Sequence, residues 1–167
     1  MMHFPTLIRS TGGAAAAEMA LILPLLLIIM MGSMELGNYF YNEHKLVKAV
    51  RDGARFAGRQ NFSVTGCSAA LDPTIVTSTQ NVVMTGMMAG GTNRLANWDR
   101  STITVAQSCA PATVDGQNMR GIFTGMTNAP IITVSAAVPY VPILNSYGFT
   151  GAGLSLRADQ QAAVMGL

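Results

Sequence analysis

The chain has 167 residues, and 18 of them, or 11%, are charged, against roughly a quarter in an average soluble domain. Half of the residues are apolar, which excludes a disordered chain because disorder requires low hydrophobicity and high charge. The net charge of +2 is not the strongly basic balance typical of a nucleic-acid-binding protein. Ten of the charged residues lie in residues 1–60, and the 107 residues that follow carry eight. A body so poor in charge is not typical of an independent water-soluble enzyme.

The first predicted element is a membrane-spanning helix. Residues 19–34 are uncharged, and extension back through Ala14 gives 21 residues in which Glu18 is the single charge. A helix of this length crosses a hydrocarbon core of about 30 Å. Leu, Ile and Met occupy every face of the segment, which is unusual for a buried core helix. A cleaved secretory signal would need a small-residue cleavage site after the apolar run, whereas here the helical pattern continues.

Two residues distinguish this segment from a simple apolar helix. Pro24 removes a backbone donor and crowds the carbonyl of Ala20, so we expect a kink at this position. Glu18 places a carboxylate near the start of the span, at a cost of up to about 3 kcal/mol on insertion scales. One interpretation puts Glu18 at the membrane interface, where the helix dipole stabilises it. In the other interpretation, the Glu18 carboxylate has a functional role.

The helical pattern continues over residues 38–59 as an amphipathic extension. Its basic stripe either faces solvent or binds lipid head groups. Lys48 and Asp52 are four residues apart and can form a pair. The apolar positions recur at helical spacing and predict a buried face. They are Leu46, Val50, Ala54 and Ala57.

Residues 60–167 are rich in Gly, Ser, Thr, Asn, Ala and Val and predict a small, mostly antiparallel sheet. Alternating patterns predict four strands, over residues 80–85, 101–107, 131–138 and 153–164. Asp72 and Pro73 predict the start of a short helix over residues 72–79. Clusters of Gly and Pro predict loops over residues 86–97 and 139–153. Packing of the amphipathic helix on this sheet predicts an α+β fold.

The two cysteines, Cys67 and Cys109, both lie in the body. A single pair in an exported domain indicates one disulfide, which would close a loop of about 40 residues and contribute about 4 kcal/mol. The alternative is two buried free thiols.

The sequence offers little for catalysis, a metal or a cofactor. His3 and His44 lie outside the body, so its serines have no nearby histidine base. Zinc-protease and nucleotide-binding motifs are absent from the sequence. Trp98 is expected to anchor the core or a loop. The carboxylates of the body are scattered without metal-ligand spacing, at Asp72, Asp99, Asp115 and Asp159. We therefore expect neither an enzyme nor a bound metal or cofactor.

Gly13 and Glu18 bracket four alanines and precede an apolar run that contains Pro24. A patch at residues 32–37 (GSMELG) and a motif at residues 51–55 (RDGAR) follow. With these motifs, the N-terminal third resembles the TadE-like proteins of the Tad (tight adherence, Flp-type) pilus system. Met19 departs from the aromatic residue that the family usually has after the glutamate. In the C-terminal half, residues 141–144 (VPIL) resemble a Val-Pro-x-Leu-like loop of the family only in general pattern.

The resemblance implies a pilin-like architecture with four parts. Residues 1–13 would be a cytoplasmic prepilin leader, 14–37 a transmembrane helix, 38–59 its amphipathic extension and 60–167 a periplasmic domain. A prepilin peptidase of the inner membrane would cut between Gly13 and Ala14. The carboxylate of Glu18 would then neutralise the Ala14 ammonium of a neighbouring subunit.

The same resemblance implies location and partners. The chain would be a single-pass inner-membrane protein with its N-terminus in the cytoplasm, incorporated in an extracellular pilus or held at its base. Its partners would be the peptidase, other pilins and minor pilins, the assembly platform and the lipid bilayer. The excess of Lys and Arg after the span argues for the opposite orientation, but a peptidase must reach its site. The alternative function is an unprocessed membrane-anchored periplasmic adaptor of the same machinery.

Overall fold

A computed structural model describes residues 11–67, 70–151 and 153–166. The predicted leader lies outside the described residues except for its last three positions. Three α-helices and five strands follow in chain order. The helices are α1 (Thr11–Gly58), α2 (Phe62–Thr65) and α3 (Pro73–Thr85). The strands are β1 (Ile103–Pro111), β2 (Thr113–Val114), β3 (Gln117–Asn118), β4 (Asn128–Pro139) and β5 (Ser155–Ala163).

Helix α1 unites the predicted membrane segment and its amphipathic extension in one element of 48 residues. At 1.5 Å per residue the helix is about 72 Å long. The helix is continuous through Pro24. Its second half packs on the body, and the positions predicted to be buried, Leu46, Val50, Ala54 and Ala57, are all 0% exposed. Helical periodicity therefore identified the correct face.

Strands β1, β4 and β5 form an antiparallel sheet in the order β1-β4-β5. The central strand β4 places Val134 opposite Val105 of β1 and Gln160 of β5. Alternate residues of β4 from Ile132 to Val138 are buried, and those between them are half-buried. Alternation of this kind is typical of a sheet covered on one face.

The core lies between this sheet and the two longer helices. Val83 of α3 and Val50 of α1 belong to the same buried cluster as Ile132 and Val134 of β4. Trp98 is 4% exposed and belongs to the cluster as well, in agreement with its predicted anchoring role. The result is a two-layer α+β fold, as predicted.

The predicted strand over residues 80–85 is wrong, because α3 continues to Thr85. Asp72 caps the helix by accepting a hydrogen bond from the Thr74 backbone N–H (2.7 Å), and Gly86 ends it with a left-handed φ of 86°. Thr79, Val82 and Val83 are buried at helical spacing. Burial against α1 thus overrides the strand preference of Val and Thr.

The hairpin of β2 and β3 was not predicted. Asp115 (φ 51°) and Gly116 (φ 76°) both adopt the left-handed conformation between the two short strands. An Asp-Gly pair with positive φ at both positions is the usual two-residue hairpin turn. The Asp-Gly dipeptide was therefore the signal that could have identified this hairpin.

Candidate functional site

The N-terminal half of α1 projects from the body with its apolar side chains exposed. Leu21, Leu25 and Ile28 are 78%, 58% and 64% exposed. The helix is long and apolar enough to cross a membrane, and its most apolar stretch is entirely unburied. From Gly13 to Met34 the helix rises by about 33 Å, close to the thickness of a hydrocarbon core.

The predicted cleavage and assembly residues lie at the start of this projecting half. Gly13 and Ala14 are in the first turn of α1 and are exposed. Glu18 is exposed one turn beyond Ala14, so that both lie on the same side of the helix about 6 Å apart along its axis. This surface is open to a peptidase or to another helix.

Among the described residues, the first hydrogen bonds from α1 to the body are made by Glu35, which directly follows the apolar run. The Glu35 carboxylate accepts hydrogen bonds from the Tyr140 hydroxyl and from the backbone N–H groups of Ile143 (3.2 Å) and Leu144 (3.0 Å). All three donors belong to the segment that follows β4. Hydrogen bonds to a charged acceptor are stronger than neutral ones, so Glu35 holds the body at one level of the helix.

Tyr140 is the central residue of this junction. Its hydroxyl accepts a hydrogen bond from the Asn38 side-chain amide (2.9 Å), and its ring packs edge-on against Tyr39 with centroids 5.2 Å apart. Burial, together with the hydrogen bond to Glu35, raises the pKa of Tyr140 above its usual value. The hydroxyl therefore remains a protonated donor at neutral pH.

The RDGAR motif forms a second junction, between α1 and α3. A Cβ on Gly53 would overlap with Cγ2 of Val83, so glycine at this position permits the close approach of the two helices. Asp52 pairs with Arg94 (Nη1–Oδ2 2.9 Å) and not with Lys48 as the helical spacing predicted. The loop after α3 is thereby tied to α1.

Cys67 and Cys109 form a disulfide, with their Cα atoms 5.9 Å apart. The bond joins the segment after α2 to strand β1. The sequence left open whether these thiols are bonded, and their geometry in the fold decides for the disulfide.

No metal centre emerges from the part of the chain that the structure describes. Within those residues, His, Cys, Asp and Glu form no group of three or more that could hold a metal ion. A groove of about 260 Å³ between α1 and the segment after β4 is lined by Asn38, Asn42 and Tyr140 among others. Its volume is below the roughly 300–1,000 Å³ of typical small-molecule sites.

Sequence reasoning predicted roles for Gly13, Ala14 and Glu18, which stay predictions, and it assigned no contact to Glu35 and no partner to Tyr140. The one available signal was the position of Glu35 as the first charged residue after the apolar run.

Comparison with known proteins confirms the resemblance of the N-terminal third. Residues 13–55 match the family described as TadE-like protein. The match begins at Gly13 and includes Glu18, Pro24, Glu35 and the whole RDGAR motif at residues 51–55. No curated protein and no solved structure matches the chain significantly.

Proposed function

We propose that the chain is a pseudopilin or minor pilin that is needed to assemble a Tad-type pilus. The observation that carries the proposal is the exposed apolar half of α1, which lies within the segment that the family match covers. A soluble protein gains nothing from about 33 Å of exposed apolar helix. A subunit that is stored in a membrane and then packed among other helices requires such a surface.

Processing by a prepilin peptidase between Gly13 and Ala14 creates the assembly-competent form. Cleavage frees the Ala14 amine, and Glu18 becomes the fifth residue of the mature chain. In a bundle of apolar helices, the Glu18 carboxylate pairs with the Ala14 ammonium of a neighbour. This pairing offsets the cost of a buried charge and sets the axial register of the subunits.

The proposed orientation in the membrane rests on the access of the peptidase to its cleavage site and on the oxidised state of the two cysteines. A peptidase that acts from the cytoplasmic side requires the leader inside, which places the body in the periplasm. The Cys67–Cys109 disulfide supports this orientation because disulfides persist in oxidising compartments. The partners are then the peptidase, other pilins and minor pilins, the inner-membrane assembly platform and the bilayer, and the role is structural rather than enzymatic.

One observation favours a second candidate, an unprocessed periplasmic adaptor held by the same helix. In the described residues the Gly13–Ala14 bond is helical, whereas a protease cleft takes an extended segment.

The mass and N-terminal residue of the protein from membranes separate the two candidates. Co-expression with the prepilin peptidase is expected to remove residues 1–13 and leave Ala14 at the N-terminus. Replacement of Gly13 by Ala is expected to block this shift in mass. An intact leader in the presence of active peptidase would exclude the processed pilin.

The pilus count in cells tests the assembly role with the same chain. We expect Glu18→Ala to be cleaved normally but to reduce the number of pili, because the neighbour's Ala14 ammonium loses its counter-charge. An unchanged pilus number in cleaved Glu18→Ala cells would show that the pairing does not guide assembly.

A further inference from the structure

The segment that follows β4 carries an exposed apolar surface without charges. The sequence has no Asp, Glu, Lys, Arg or His between Arg120 and Arg157. We name the described residues 141–151 and 153–154 the foot loop. Its exposed apolar side chains are Val141 (43%), Ile143 (52%), Tyr147 (74%), Phe149 (37%) and Leu154 (52%).

The foot loop is closed and compact rather than extended. The Tyr140 backbone N–H bonds the Leu154 carbonyl (3.0 Å), so the two ends of the loop meet. Inside the loop the Phe149 N–H bonds the Leu144 carbonyl (3.3 Å). Its exposed apolar side chains are therefore carried on a single compact structure.

The Glu35 junction determines where this structure lies along α1. Because the Ile143 and Leu144 N–H groups both bond the Glu35 carboxylate, the foot loop lies beside the turn at which the apolar run ends. The exposed residues of α1 just beyond that turn are also apolar or aromatic. Leu36, Phe40 and Tyr41 are 55%, 51% and 59% exposed.

The distances along the helix match the dimensions of a membrane interface. Phe40 lies about 8 Å and Tyr41 about 9 Å beyond Glu35, at the outer edge of a headgroup region that is about 5–8 Å deep on each side of a bilayer. Aromatic side chains are enriched at this depth because one end of the ring is apolar and the other is wet. The first cation of α1 beyond Glu35 is Lys45, about 15 Å further along the helix.

We propose that the foot loop inserts its apolar side chains into the interface of the bilayer that α1 spans. The occupant of this surface is lipid because the loop is hydrogen-bonded to the residue at which the same chain leaves the hydrocarbon core. The inference rests on the membrane anchoring in the proposed function. The body is then held at the membrane both by α1 and by the foot loop. Its orientation relative to the bilayer is therefore defined before the chain assembles with other subunits.

Fluorescence quenching by brominated lipids tests the proposal in the full chain. Single variants Tyr147→Trp, Leu27→Trp and Met165→Trp are reconstituted in phosphatidylethanolamine and phosphatidylglycerol vesicles. The lipids carry bromine near the headgroup end of their acyl chains for Tyr147→Trp and Met165→Trp, and near the chain terminus for Leu27→Trp, which lies about 12 Å inside Glu35 and so near the bilayer centre. Met165 is 53% exposed, and its backbone N–H bonds Gly58 at the far end of α1, which makes it the matched aqueous control. The emission of the buried Trp98 is measured in the wild-type chain and subtracted as background.

We expect the emission added by Tyr147→Trp to be quenched, because a ring at the interface lies at the depth of the bromine atoms, and that added by Met165→Trp to be unchanged. An unquenched Tyr147→Trp beside a quenched Leu27→Trp would overturn the foot loop while leaving the anchor intact. If Leu27→Trp were also unquenched, the membrane anchoring itself would fail. If the ring of Tyr147→Trp were shielded from solvent in assembled pili but exposed to solvent in vesicles, the proposal would also be overturned. The foot loop would then contact another subunit and not lipid.

Discussion

The hydroxyl of Tyr140 joins two parts of the chain that are 105 residues apart. It donates to the Glu35 carboxylate and accepts from the Asn38 amide. Since burial and the Glu35 hydrogen bond raise the pKa of Tyr140, the neutral donor form is favoured in the fold. The stability that this hydrogen bond contributes is fully present below the pKa of tyrosine in the unfolded chain, about 10. It is lost as the pH rises through the higher pKa that Tyr140 has in the folded protein.

Replacement of Tyr140 by Phe is expected to lower the free energy of unfolding of the body by about 2 kcal/mol at neutral pH, because a hydrogen bond to a charged acceptor is removed. Thermal unfolding of the full chain in detergent, followed by Trp98 fluorescence, measures the change. Tyr147 is 74% exposed, so Tyr147→Phe is the matched control and should leave the midpoint unchanged. Equal midpoints for the two variants would show that the Glu35–Tyr140 contact does not stabilise the fold.

At the scale of elements, the packing of α1 on α3 is organised by Gly53. The RDGAR motif has a structural explanation, in which Gly53 allows close approach, Ala54 is buried and Asp52 pairs with Arg94. Periodicity identified the buried face of α1 but not that of α3. Residues 80–85 contain Val and Thr, whose local preference is for strands, and only contact with α1 makes them helical.

Replacement of Gly53 by Ala is expected to destabilise the body by about 1–3 kcal/mol, because the added methyl group forces α1 and α3 apart. The matched control is Gly37→Ala, since nothing lies within 4 Å of a Cβ at that position. Alanine there should be neutral or stabilising by up to about 1 kcal/mol, given its higher helix propensity. Thermal midpoints in detergent compare the two, and a Gly53→Ala chain as stable as Gly37→Ala would contradict the close packing.

At the scale of the whole molecule, the body is a small two-layer domain with few charges and one covalent cross-link. Strands β1 and β4 carry no charged residue, and β5 carries Arg157 and Asp159. The Cys67–Cys109 disulfide spans 42 residues of sequence. A cross-link of this span restricts the unfolded chain and thereby stabilises the domain.

Replacement of both cysteines by Ser is expected to lower the free energy of unfolding by about 4 kcal/mol, the chain-entropy value for a loop of this size. Denaturant unfolding of the wild-type chain with and without reductant should show the same difference, while the double variant should not respond to reductant. A wild-type chain whose midpoint is insensitive to reductant would mean that the disulfide does not contribute to stability.

The sequence by itself determined the features that depend on local periodicity and composition. These are the apolar span, the buried positions of α1 from Leu46 to Ala57, and the three strands of the main sheet to within a few residues at each end. Such patterns repeat every two or 3.6 residues and can be read in a short window. The resemblance carried by Gly13, Glu18 and Pro24 is equally local, and the family match confirms it.

Only the tertiary structure decided which distant residues meet. It joined Glu35 to Tyr140, paired Asp52 with Arg94 in place of Lys48, and extended α3 to Thr85. Each of these outcomes depends on a contact between segments far apart in the chain, where a hydrogen bond or a buried face outweighs local preference. Local spacing contains no information about such partners, because they are brought together by the packing of α1, α3 and the sheet around one core.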